Sequence, residues 1–294
     1  MTDLLPFDQR DGFIWYNGSF VEWKNAKIHV LNHGLHYASC VFEGERIYNQ
    51  KIFKCTEHST RLHNSASMLD FSIPYSVEEL DIIKNELVKK QNIVDGYMRA
   101  FAWRGSEKMA ISAQINKIHV AIACWAWPPY YSEEARKIGL KLKFARYRRP
   151  SPESAPTSSK ASGLYMICTI SKHEAEREGY NDAIMLDYRG YLAEATGANL
   201  FLVMNNNEIH TPTPDCFLNG ITRQTIIELA KKRNIKVIER HILPDELSNA
   251  VDAFLTGSAA EITRIGSIEN IKYPNISQVT SNLMQDYHNL VRGL

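Results

Sequence analysis

Apolar and polar positions alternate in short blocks through the first third of the chain. In "GFIWYNGSFVEW" two apolar–aromatic runs flank Asn17-Gly18, the pair that favours a tight hairpin turn. "ERIYNQKIFK" repeats the pattern around Asn49-Gln50. In "SVEELDIIKNELVKKQN" the alternation gives way to a helical period. Ser76 and Glu79 have capping-box spacing, and Leu80, Ile83 and Leu87 share one face. "YMRAFAW" and "IHVAIACWAW" read as strands. Residues 1–124 are therefore expected to form a small α+β domain with an antiparallel sheet.

Pro128-Pro129 cannot continue a sheet ladder, so an interdomain loop is expected over 125–137. A larger domain is expected over 138–294. It opens with the period-2 run "GLKLKFARYRR". A helix in "LYMICTISKHEAEREG" ends at Gly179, and strands follow in "DAIMLDYRGYLAEATGANLFLV". "ITRQTIIELAKKRN" reads as a helix, "KVIERHI" and "AVDAFLTG" as strands, and the tail as a closing helix. The fold class is thus a two-domain α+β and α/β chain.

Composition removes several functions. Hydrophobic residues make up 44% of the 294, and the formal net charge is +1, which argues for no nucleic acid and no anionic membrane partner. Five widely spaced cysteines without a C-x-x-C suggest no metal site and a reducing, cytoplasmic compartment. The N-terminus carries acids early and has no long apolar run, so no signal peptide is expected.

Five stretches could carry chemistry. Lys160 sits among small residues in "TSSKASGLY", with Tyr165 five positions on. A free lysine has a pKa of about 10.4, and desolvation lowers it, which suits a lysine that forms a Schiff base. The alternative is an exposed lysine in a serine-rich loop. Glu194 in "YLAEATGANLF" could face a protonated ring nitrogen, as pyridoxal phosphate requires, or be a surface acid at a turn. In "LNGITRQTIIEL", Gly220 precedes a helix whose first residues, Ile221 and Thr222, could bind phosphate, or simply cap it. In "LTGSAAEI", Gly257-Ser258-Ala259-Ala260 could form an anion nest or a strand-to-helix turn. Arg61 in "HSTRLHNSA" could leave its helix for a phosphate or remain solvated.

In order, these pieces read Arg-Leu-His, Lys with Tyr five later, E-A-x-G-x-N-L-F, G-I-T-R and G-S-A-A-E-I-T. Together they resemble the class IV pyridoxal-phosphate aminotransferases of fold-type IV. The branched-chain amino acid branch is the nearest match, because "HGLHYASCVFEGERIY" and "YMRAFAW" favour it over the D-amino acid branch. The resemblance implies a D-amino acid aminotransferase-like fold with a small α/β N-terminal domain and a larger pseudo-barrel domain. It also implies pyridoxal 5'-phosphate as cofactor. The reaction it implies joins L-leucine, L-isoleucine or L-valine with 2-oxoglutarate, giving branched-chain 2-oxo acids and L-glutamate.

The same resemblance assigns roles. Lys160 would hold the cofactor and move the proton, Glu194 would pair with the ring nitrogen, and Tyr165 would lie near the phenolic oxygen. Arg61, Ile221, Thr222 and Ser258 would hold the phosphate, with Gly197, Asn199, Leu218, Gly220 and Gly257 completing the cofactor pocket. Ser258 and Ala259 would take the α-carboxylate. Tyr37, Phe42, Gly44, Ile111 and Tyr130 would wall the side-chain pocket, and Arg99 with Tyr37 would accept a distal carboxylate. A homodimer or higher homo-oligomer, up to a hexamer, is implied, with the partner chain completing the site. The remaining readings are a D-amino acid aminotransferase, an aminodeoxychorismate-lyase-like enzyme, and an inactive assembly subunit. Intact Lys160 and Glu194 argue against the last. Ser258 in place of threonine, Arg264 in place of proline and the loop "RGSEKMAISAQ" depart from the commonest family form.

Overall fold

A computed structural model describes residues 5–128 and 130–294. The chain divides into two compact units. The first runs to Pro128 and also takes in Ser159–Gly163; the second holds the remainder.

The first unit is built on β1 (Phe13–Tyr16), β2 (Ser19–Glu22), α1 (His33–Tyr37), β3 (Cys40–Phe42), β4 (Glu45–Tyr48), β5 (Lys51–Ile52), α2 (Cys55–Met68), α3 (Val77–Lys90), β6 (Gly96–Arg104) and β7 (Ile118–Ala126). Its antiparallel sheet runs β2-β1-β7-β6-β4-β5, with β3 also on β6. Both hairpins form at the expected pairs: Asn17 and Gly18 take φ of 48° and 98°, Asn49 and Gln50 of 49° and 65°. The left-handed conformation matches the twist of the strands they join.

The alternation along β6 sorts the sheet's two faces. Met98, Ala100 and Ala102 join Val120, Ile122 and Cys124 in the core, where Leu62 and Ala66 of α2 and Leu80, Leu87 and Val88 of α3 also lie. Burying each such leucine stabilises the fold by about 1.5–3 kcal/mol. The opposite face carries Tyr97, Arg99, Phe101 and Trp103. The capping box at Ser76 and Glu79 is present. One detail of α3 differs from the sequence pattern. Ile83 is only partly buried, and Lys84 takes the fully buried place beside Leu80 and Leu87, its Nζ 2.6 Å from Glu45 Oε1. The acid on β4 makes that burial tolerable, and helical periodicity alone does not reveal it.

The second unit opens with α4 (Glu133–Ile138), inside the stretch expected as a loop, while β7 of the first unit already extends to Ala126. It continues with β8 (Leu140–Phe144), α5 (Met166–Arg177), β9 (Asp182–Leu186), β10 (Leu192–Ala195), β11 (Asn199–Met204), β12 (Ile209–Pro212), α6 (Ile221–Lys232), β13 (Val237–Arg240), β14 (Ala250–Gly257), β15 (Glu261–Ile268), β16 (Ile271–Lys272) and α7 (Gln278–Arg292). The strand order β10-β9-β8-β15-β14-β11 closes on itself through a β10–β11 pairing, so six strands form a barrel; β12 and β13 extend it from β11. Leu142, Ile184, Leu200, Leu255 and Ile265 share its apolar cluster. The run Ser258-Ala259-Ala260 is neither a strand-to-helix turn nor the start of a helix. It is the tip of a β-hairpin in which Gly257 pairs with Glu261, and Glu261 takes φ of 54°. No helix among the described residues is long and apolar enough to cross a membrane.

Candidate active site

In the first unit the short segment carrying Lys160 is stitched to two elements. Val41 and Ala161 form an antiparallel bridge, and the Phe42 N–H donates to the Lys160 carbonyl at 3.1 Å. On the other side, the Lys160 N–H donates to Ser65 Oγ and Ser159 Oγ donates to the Ser65 carbonyl, each at 3.0 Å. Ser65 lies one helical turn beyond Arg61 on α2, so both project from the same face of the helix. Small residues around Lys160 permit this close approach of backbones. The Lys160 Nζ lies 5.0 Å from the Phe42 ring centre, and the Arg99 guanidinium lies 4.5 Å from the same ring.

Arg61 is held by Glu43, which is fully buried. Its Nε donates to Oε1 at 2.7 Å and its Nη2 to Oε2 at 2.8 Å; His58 Nδ1 lies 2.6 Å from Oε2. Burial alone would raise the Glu43 carboxyl, but Arg61 and His58 outweigh it and hold the group well below the usual carboxylate range. At the adjacent Gly44 the Tyr97 ring comes close: a Cβ there would fall 1.9 Å from the Tyr97 hydroxyl, so a side chain would have to displace the ring.

In the second unit the strand register places Glu194, Asn199 and Thr256 side by side across β10, β11 and β14. By alternation they project to the face that carries the stacked rings of Phe201 and Phe254, opposite Leu200 and Leu255. Glu194 is 8% exposed. Asn199 Nδ2 donates to Glu194 Oε2 at 3.3 Å and to the Leu218 carbonyl at 3.0 Å. Arg149, 3% exposed, places its Nε 3.5 Å from Glu194 Oε1, an ion-pair contact. Burial alone would lower the Arg149 pKa, but Glu194, Cys168 and Tyr165 more than offset it. Burial pushes the neighbouring Cys168 thiol up to about 11.

Gly220 precedes α6 with no side-chain cap, so the first N–H groups of the helix, those of Ile221 and Thr222, begin it without help from a side chain. Thr222 is buried, and the buried Thr256 hydroxyl has no hydrogen-bond partner among the described residues. Gly257 packs near Gly197, whose carbonyl would lie 3.3 Å from a Cβ at 257. Tyr165 ends a short 3-10 turn and caps α5.

Other candidate residues stand apart. Tyr37 is half exposed and stacks on His33 with centres 4.6 Å apart; Ile111 is 86% exposed and Tyr130 lies at the surface. Arg264 is accommodated by the Ile138 and Tyr273 carbonyls and lies 3.7 Å from Asp252. Arg149, Glu43 and Thr256 are residues that sequence reasoning misses. Arg149 stands near Arg146 and Arg148 with no spacing to single it out. The only sign of Glu43 is an acid inside an otherwise apolar strand pattern. Asp187, Asp215 and Cys216 also cluster, but Arg189 spans both carboxylates and His241 lies 2.9 Å from Asp215, so the charge there is already met.

Residues 40–268 match the family model of the class IV aminotransferases. A branched-chain-amino-acid aminotransferase of Pseudomonas aeruginosa is 39% identical over 98% of this chain and 96% of its own length. Among solved structures, the branched-chain amino acid aminotransferase of Escherichia coli superposes with a TM-score of 0.93, at 34% identity over 97% of this chain and 96% of that one. The branched-chain amino acid aminotransferase of T.th. solved with pyridoxamine 5'-phosphate gives 0.92, at 34% identity over 97% and 95%. With the family model spanning most of its length and a relative 39% identical across nearly all of it, the chain belongs to the class IV aminotransferases.

Proposed function

We propose that the chain transfers the amino group of L-leucine, L-isoleucine or L-valine to 2-oxoglutarate, with pyridoxal 5'-phosphate as cofactor. The observation that carries the reading is Glu194, buried and held between Arg149 and Asn199. An acid so placed, kept ionised by Arg149 and fixed by Asn199, suits a protonated ring nitrogen. The remaining donors fit the same group. Lys160 supplies an amine for its aldehyde. Arg61, the N–H groups of Ile221 and Thr222, and the hydroxyls of Thr222 and Ser258 are donors for a phosphate. The unpartnered Thr256 hydroxyl on the same sheet face adds one more donor.

Pyridoxal phosphate, when bound, supplies the carbonyl that accepts the amino group and the ring that delocalises the electron pair left at Cα. The protein does the rest. Lys160 Nζ would take the proton from Cα and return it two atoms along, across the amino nitrogen, a 1,3 proton transfer. Glu194 faces the ring nitrogen and keeps a proton on it. Tyr165 orients the cofactor's phenolic oxygen, and Gly197, Asn199, Leu218, Gly220 and Gly257 shape the pocket. The N–H groups of Ser258 and Ala259 hold the α-carboxylate. Phe42 and Gly44 would line the pocket for the branched side chain, with the exposed Tyr37, Ile111 and Tyr130 joining its wall when a second copy completes the site, while Arg99 would meet the distal carboxylate of glutamate.

The enzyme works as a homodimer or larger homo-oligomer in the cytoplasm. Ile28, Val30, Leu31, Leu35, Ile111 and Ile115 are exposed apolar side chains of the first unit, which supports coverage by a second copy. The deciding experiment is an amino-donor profile with L- and D-amino acids against 2-oxoglutarate. Turnover with L-leucine, L-isoleucine and L-valine and none with D-alanine is expected. Preference for D-amino acids, or elimination without transfer, would overturn the reading.

A further inference from the structure

Arg61 is a long side chain in a role that needs a fixed direction. An unheld arginine carries about 2 kcal/mol of rotamer entropy, which binding must remove. Here the direction is set in advance. Glu43 engages Nε and Nη2 together, at 2.7 and 2.8 Å, a two-point contact that fixes the plane of the guanidinium as well as its position.

Glu43 itself cannot swing. Its N–H donates to the Ala100 carbonyl at 2.7 Å, the adjacent Gly44 is pressed against Tyr97, and the carboxylate is fully buried. His58, one turn before Arg61 on α2, holds the same carboxylate oxygen that receives Nη2, at 2.6 Å. The sheet thus provides a rigid acid, and α2 brings two basic side chains to it from one face.

We propose that Glu43, steadied by His58, is a positioning residue that presets Arg61 for the cofactor's phosphate. This rests on the reading above that Arg61 binds that phosphate. Glu43 touches neither cofactor nor substrate in this role. It lowers the cost of binding by removing the freedom of the group that does.

The test separates the phosphate from the rest of the cofactor. The apoenzyme is titrated with pyridoxal 5'-phosphate and with pyridoxal, which lacks the phosphate. The quantity followed is the dissociation constant for pyridoxal divided by that for pyridoxal 5'-phosphate. Glu43→Gln should weaken pyridoxal 5'-phosphate by about 10- to 100-fold, the loss of one charge-assisted hydrogen-bond pair. Pyridoxal binding should stay unchanged. Glu43→Asp should restore part of the ratio, and Glu43→Gln should add little in an Arg61→Ala background. Equal weakening of both ligands, or of neither, would overturn the clamp. If Arg61→Ala leaves the ratio unchanged, the phosphate role of Arg61 fails and the clamp with it. If Arg61→Ala lowers the ratio and Glu43→Gln does not, only the clamp fails. A second measurement needs no Glu43 variant: hydrogen exchange of the Arg61 Nε–H in the apoenzyme, assigned by its loss in Arg61→Lys. Protection equal to that of the loaded enzyme is expected, and exchange as fast as that of an exposed arginine would overturn the proposal.

Discussion

Gly220 lies so close to Asn199 that a Cβ on the glycine would fall 2.2 Å from Asn199 Oδ1. Gly220 has φ of −58°, a value any residue adopts, so contact and not conformation excludes a side chain there. Asn199 cannot step aside cheaply, since its amide holds Glu194 and the Leu218 carbonyl. Gly220→Ala should therefore displace the Asn199 amide and weaken cofactor binding by about 10- to 100-fold, an overpacking cost of ~1–3 kcal/mol. Titrating the apoenzyme measures it; an unchanged dissociation constant would show that Asn199 relaxes freely.

The amine is tested covalently. Borohydride reduction and peptide mapping should place the phosphopyridoxyl mass on Lys160. A label on Lys172 would remove Lys160 from the mechanism. Lys160→Ala should slow turnover by about 10²- to 10⁴-fold or more if, as proposed, one group serves as nucleophile and proton carrier.

Arg149 and Glu194 are both nearly buried, so removing Arg149 leaves the Glu194 charge without its opposite charge, only the Asn199 hydrogen bond remaining among those described. Arg149→Met should destabilise the fold by about 3–5 kcal/mol in urea unfolding. Adding Glu194→Gln should recover much of that loss. Additive losses would mean the two do not interact. Glu194→Gln alone should slow the leucine half-reaction far more than it weakens cofactor binding.

Arg99 should distinguish the two substrates. A buried carboxylate without its cation costs about 3–5 kcal/mol, whereas an alkyl group loses little. Arg99→Ala should raise the Michaelis constants for glutamate and 2-oxoglutarate by orders of magnitude and alter the leucine half-reaction modestly. Equal losses in single-turnover absorbance would assign Arg99 to the α-carboxylate or to the fold.

The acid limb of stability should depend on Glu43. Its folded pKa is depressed below the unfolded value of about 4.3. The stability it contributes is fully present above that value and is lost as pH falls toward the folded pKa. Urea unfolding of the native chain should weaken steadily below about pH 4. Glu43→Gln should flatten that slope; an identical slope would place the acid sensitivity elsewhere.

Much of the fold is legible from local chemistry. Asn17-Gly18, Asn49-Gln50 and the Ser76–Glu79 box each act over a few residues, and the hairpins and helix form where they say. Lys160 and Glu194 stand out because small neighbours leave room beside a charged group. Glu43, Lys84 and Arg149 are not legible in that way. Each has its partner far away in sequence, at Arg61 and His58, at Glu45, and at Glu194, and a charged residue in a strand, helix or loop reads as solvated until the partner is known. The tip at Ser258–Ala260 is similarly hidden, because small residues after a strand lead equally well into a turn or a helix.

The grouping of Ser159–Gly163 with the first unit has a consequence for how the molecule is made. Val41 waits for Ala161, and Ser65 for Ser159 and Lys160, so the first unit's sheet and helices emerge from the ribosome long before their last partner does. A nascent chain stopped at Pro128 contains Glu43 and Arg61 but not yet Lys160 or the strand bridge and hydrogen bonds that fix its backbone. The first unit is thus completed only after the chain has begun the second unit and returned, which ties the two units together in the order of synthesis.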